Sequence, residues 1–129
     1  MNMIIDSTIQ TPEVKRKMSE KVGEPYGFIE RLKMRGVGSK RMRIHSASEH
    51  FEPFFSNQQD SIYCNIELRK AGIVVHFKKY QTLYSWLIPN GSLRIKSGEY
   101  YTLKAENHTL LLKKDRLFTE NKVFLERIE

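Results

Sequence analysis

The sequence contains one cysteine, Cys64, so no disulfide can close within the chain and no zinc site built on cysteine pairs can assemble. A domain without disulfides fits a reducing compartment, and the cytoplasm is the expected location. Long apolar runs are missing as well. The longest uncharged stretch, Tyr80 to Leu93, is shorter than the roughly 20 apolar residues that cross a bilayer and is interrupted by Pro89, Asn90 and Gly91. The opening residues, MNMIIDSTIQTPEV, have neither a cationic start nor an apolar core, so they do not read as a secretory signal. Catalytic signatures are equally scarce. RGVGSK has two glycines without the phosphate-loop spacing, and there is no nucleophile elbow, no HExxH and no paired-carboxylate arrangement. The chain is therefore expected not to be an enzyme and to need no cofactor.

What is present points to a folded, basic domain. The 129 residues suit a single domain, and 40% hydrophobic with 29% charged residues lies close to globular averages. Lys and Arg total 22 against 15 acids, a formal charge of +7 that attracts polyanions without specifying one. Six of the cations, Arg31, Lys33, Arg35, Lys40, Arg41 and Arg43, fall in one stretch that holds no acid. Read as strand, turn and strand around GVGS, Arg31, Lys33 and Arg35 share a parity with Arg41 and Arg43, and Leu32, Met34, Met42 and Ile44 take the other. Such a ribbon would contact phosphates of nucleic acid or lipid headgroups, with Tyr26 and Phe28 near enough to stack on bases. The bland alternative is that these cations merely solvate an outer face.

Residues 1–24 read as an N-terminal extension, either mobile or carrying a short helix. PEVKRKMSEKV supplies Thr11 as cap, Pro12 for a first turn and a thin stripe of Val14, Met18 and Val22. From Ser61 the period becomes two: Ile62, Cys64, Ile66 and Leu68 alternate with Tyr63, Asn65, Glu67 and Arg69. KAG turns the chain into a second arm with Ile73, Val75 and Phe77 on one side, and TLYSWLIP, SLRIK, EYYTLKA and HTLLLKK continue the meander between NG, SG and EN turns. At the end, residues 119–128 predict a helix capped by Thr119, with Phe118 and Val123 as a staple and Phe124 and Ile128 one turn apart.

With RMRIH counted as a first strand, this gives about seven antiparallel strands and then a helix, within a single domain over residues 25–129. That order, together with GIVVHFKKYQTLYSWLIPNGSLRIK, resembles the bacterial pleckstrin-homology-like pattern over about residues 41–129. The resemblance implies a mainly β, antiparallel roll or barrel capped by its C-terminal helix. It also implies a binding or assembly module without chemistry of its own, since some members contact phosphoinositides and others proteins. It carries over no ligand residues to this chain.

Other side chains compete for attention. Phe51, Phe54 and Phe55 place three rings in five positions, and Tyr84, Trp86 and Ile88 oppose Leu83 and Leu87 across one strand. Phe51, Phe54, Phe55, Tyr84 and Trp86 are thus either core or an interface with a partner or a second copy. His45, Glu49, His50 and Glu52 are metal-ligating types, but Pro53 favours a loop that does not bring them together, and no metal is expected. His76 and His108 read as surface histidines, and Cys64 as a small buried hydrophobe. Three functions remain open: a non-catalytic binding or scaffold module with a protein or anionic partner, a nucleic-acid-binding protein using 31–43, and a ligand carrier or enzyme with a cavity inside the roll.

Overall fold

A computed structural model describes residues 3–55 and 61–129. It begins with a strand the sequence pattern did not announce, β1 (Met3–Asp6), followed by helix α1 (Pro12–Val22). The Thr11 side chain accepts the Val14 N–H at 3.2 Å, and Pro12 occupies the first turn, where a missing N–H costs nothing. Next come α2 (Phe28–Lys33), β2 (Met42–Ala47) and a 3-10 turn at Glu49–Phe51 that runs into α3 (Glu52–Phe55). The alternating segment then becomes β3 (Tyr63–Arg69), β4 (Gly72–Lys79) and β5 (Thr82–Pro89). After a turn at Asn90–Ser92 come β6 (Leu93–Ser97), β7 (Tyr101–Ala105) and β8 (His108–Leu112). Two short helices close the chain, α4 (Arg116–Thr119) and α5 (Lys122–Ile128).

All strand pairs are antiparallel, in the order β1-β5-β4-β3-β2-β8-β7-β6, and the protein is mainly β. The eighth strand relative to expectation is β1, which adds to the edge of β5 with Ile4 opposite Trp86. β2 is the corner of the sheet. Its first residues pair with β3, Met42 opposite Cys64 and Arg43 opposite Tyr63, whereas Ile44, Ser46 and Ala47 pair with β8. The register slips between Ile44 and Ser46, and a bulge of this kind bends a strand so that one sheet can wrap around a core.

The inward parity is the predicted one on β3 and β4: Cys64, Ile66 and Leu68 with Ile73, Val75 and Phe77. Phe51 stands edge-on to Trp86, with ring centroids 5.0 Å apart, and α5 closes the end of the roll with Phe124 and Leu125. The two-sided apolar character of β5 also has its explanation. Tyr84, Trp86 and Ile88 face the main core, while Leu87 joins Val74 on the outer face beneath Met18 and Val22 of α1. Residues 3–24 therefore cover the sheet as an integral layer. The fit is close enough that a Cβ on Gly72 would lie 3.0 Å from Val22 Cγ1 of α1, besides colliding with the Ile88 carbonyl oxygen of the neighbouring strand.

Two expectations are corrected. The basic segment is not a hairpin: residues 28–33 are helical, with Glu30 accepting the Gly27 N–H at 3.0 Å in the manner of a capping box. The helix stops in a Schellman turn, with Arg35 at φ 60°, Gly36 N–H bonded to Arg31 O and Arg35 N–H bonded to Leu32 O. GVGS then runs beside β3 instead of turning, with Leu68 N–H on Val37 O and Ser39 N–H on Ile66 O. At the C-terminus, Asp115 is the cap, accepting the Phe118 N–H at 3.1 Å, so the helical region begins before Thr119. It breaks at Asn121, whose side chain is drawn away to accept the Lys40 N–H at 2.8 Å and to bond Leu117 O. Val123 is exposed, so it makes no staple with Phe118.

Candidate partner-binding surface

The six cations do not form one face. Arg31 and Lys33 lie on α2, Arg35 on its terminal turn and Lys40 in the link to β2. Arg41 and Arg43 are engaged elsewhere. The Arg41 guanidinium sits 4.4 Å from the centre of the Tyr63 ring, and Arg43 donates to the Tyr63 hydroxyl at 2.9 Å while pairing with Asp115 at 3.5 Å. That hydrogen bond, with the two nearby positive charges, holds the Tyr63 hydroxyl below the usual tyrosine range.

The remaining cations accompany an unusual helix. α2 buries none of its residues, and Phe28, Ile29 and Leu32 are 66%, 60% and 62% exposed. Single exposed apolar residues are ordinary, but three on a six-residue helix form a contiguous patch that marks a contact surface. Arg31, Lys33 and Arg35 flank the patch, and the one acid, Glu30, is paired with Lys70 at 3.5 Å and bonded to the Gly27 N–H. The backbone hydrogen bond from Gly27 keeps the Glu30 carboxyl below its ordinary range. At the far end Arg127 of α5 donates to Met34 O and Gly36 O, both at 2.9 Å. The helix is thus pinned at both ends while its apolar side chains project.

The aromatic residues read from sequence as a candidate interface lie mostly inward. Phe51 and Trp86 have no exposed surface, and the half-buried Phe54, Phe55 and Tyr84 pack against the core, Phe54 edge-on to Tyr84 at 4.8 Å. His45 stacks on Tyr100 at 4.0 Å and His50 on His108 at 4.6 Å, so the histidines weighed for a metal engage different neighbours.

Sequence reasoning missed a polar chain beneath α1. Ser7 and Ser85 hydroxyls lie 2.6 Å apart, Ser85 Oγ is 2.7 Å from His76 Nδ1, and His76 Nε2 is 2.8 Å from Glu67 Oε1. Arg69 continues it, donating to Glu67 at 3.2 Å and to Gly23 O at 3.1 Å. His76 is therefore not a surface histidine but a bridge. The visible signal was the outward parity shared by Glu67, His76 and Ser85; the hidden one was Ser7, which reaches them only because β1 docks. Burial raises the Glu67 carboxyl, but the His76 hydrogen bond and the positive neighbours outweigh it, and the net shift is downward. Serine, imidazole and carboxylate are the components of a hydrolase triad, yet Ser85 is fully buried with Ser7 on its hydroxyl, where no substrate carbonyl reaches it. Among the described residues no helix is long and apolar enough to cross a membrane. Comparison with protein-family models, with curated proteins and with solved structures returns no match.

Proposed function

We propose that the chain is a non-catalytic binding module of pleckstrin-homology-like type, and that it docks through α2 on the anionic cytoplasmic face of a lipid bilayer. One observation carries the docking: Phe28, Ile29 and Leu32 project from a helix that buries nothing, beside Arg31, Lys33 and Arg35. A short segment with apolar side chains on one part and cations on another suits the boundary between headgroups and acyl chains. Completing the burial of the three apolar side chains is worth about 1–2 kcal/mol each. Each cation near an anionic surface adds about 1 kcal/mol. The sum supports weak, reversible attachment that depends on acidic lipid and weakens with salt.

The fold-family part of the proposal is supported by connectivity. A meander β2 to β5 and a meander β6 to β8 share β2 at the corner and are closed by α5, which is the arrangement the resemblance implies. Trp86, Phe51, Phe77 and Tyr101 fill the interior, which favours a partner on the outside over a ligand within. Nucleic-acid binding has less support, because Arg41 and Arg43 are engaged with Tyr63 and Asp115.

Co-sedimentation with vesicles tests the proposal. The protein is expected to sediment with phosphatidylcholine vesicles containing phosphatidylglycerol and not with phosphatidylcholine alone. A Phe28→Ser, Ile29→Ser, Leu32→Ser variant is expected to stay in solution. Equal sedimentation of the variant, or none by the parent, overturns it, and retention of duplex DNA by the parent alone would move the assignment to nucleic acid.

A further inference from the structure

β6 ends the strand order on the side opposite β1, and among the described residues no strand pairs with its outer edge, although Leu93 O already accepts from the Arg94 guanidinium. One cleft runs beside β6 and a second adjoins it at Ser97, the last residue of the strand. The second, of about 420 Å³, is lined by Tyr101, Phe118 and Leu125; the first, of about 470 Å³, lies between β6 and the end of α5 at Ile128, and both include Ser97 and Glu129. An edge strand bordered by a groove is the setting in which an extended peptide adds to a sheet, with main-chain bonds giving affinity and alternate side chains giving selectivity.

The side chains of β6 state what that peptide should be. Leu93 and Ile95 turn toward the core, whereas Arg94 and Lys96 are exposed. A strand laid along β6 repeats this alternation, one set of its side chains entering the apolar cleft and the other lying beside Arg94 and Lys96. Within the clefts Lys114 and Lys122 are balanced by Glu126 and Glu129, so the outer pair decides the preferred sign. Arg94 meanwhile donates to Gly91 O at 3.2 Å and to Leu93 O at 2.9 Å, lying along its own backbone rather than against an acid.

From this geometry we propose that β6 and its groove accept an extended segment of another protein in which apolar residues alternate with Glu or Asp. A second copy of this chain is a poor occupant. β6 against β6 would set Arg94 and Lys96 beside their own counterparts, and like charges across a strand pair repel. The site is separate from α2 and adds a second contact to the module.

The test uses the full chain and fluorescein-labelled peptides of equal composition: alternating Val and Glu, the same residues in two blocks, and alternating Val and Lys. Anisotropy is expected to show binding of the alternating acidic peptide in preference to both others. Arg94→Glu with Lys96→Glu, two exposed positions, is expected to weaken that binding roughly tenfold or more and to favour the Lys peptide. Amide shifts on binding are expected along β6, and the α2 serine variant is expected to bind the peptide as the parent does. Equal binding of all three peptides, no binding of the acidic one, or indifference to the charge reversal overturns the proposal.

Discussion

The imidazole of His76 lies between a carboxylate and a chain of hydroxyls, and that chain can run in either direction. With a neutral ring, Nε2–H donates to Glu67, Ser85 donates to Nδ1 and Ser7 donates to Ser85. With a charged ring, Nδ1–H donates to Ser85, Ser85 donates to Ser7, and Ser7 turns to Leu83 O, 3.4 Å away. Every hydroxyl of the chain has a partner within reach, so the chain fastens the N-terminal strand to β5 and β4. Its acid limit is set by Glu67. Because the folded carboxyl is held below its ordinary value of 4.5, it contributes stability that is complete above that value and is lost as pH falls through the lower folded one. Glu67→Gln is expected to be about 1–2 kcal/mol less stable at neutral pH and to show a flatter loss below about pH 4.5, measured by urea unfolding across pH.

At the scale of elements, β1 and α1 decide whether β5 is an edge or an interior strand. Removing residues 1–10 exposes the backbone of β5 from Tyr84 to Leu87 and takes Ser7 from Ser85. The truncated protein is expected to lose about 2–4 kcal/mol in urea unfolding and to self-associate in light scattering, because an uncovered apolar edge templates further strands. The strands of the two meanders were legible because alternation and short turns are local. MIID was not: four residues carry no period, and their partners lie at 84–87. The basic segment was misread because Arg and Lys at every second position suit a ribbon and a short helix alike. The deciding features, Glu30 on Gly27 and the stop at Arg35, are single contacts rather than a pattern. The apolar patch of α2 followed that error, since a ribbon assigned Leu32 to the interior.

For the whole molecule, the apolar residues that suggested a homodimer are buried or half-buried against the chain's own N-terminus and core. Light scattering is expected to give the monomer mass of 15.2 kDa at high protein concentration, with a net charge of +7 opposing close approach of copies. The shared strand β2 carries a further consequence, which concerns time. Ile44 finds its partner at Leu112 and Met3 finds its partner at Leu87, so the strands made first wait for sequence made much later. Contacts this distant along the chain make for slow folding, since loop closure must precede any reward from pairing. During synthesis the central meander can assemble early, but the roll cannot shut until β8 has left the ribosome. Until then the second half of β2 stands open as an unpaired edge.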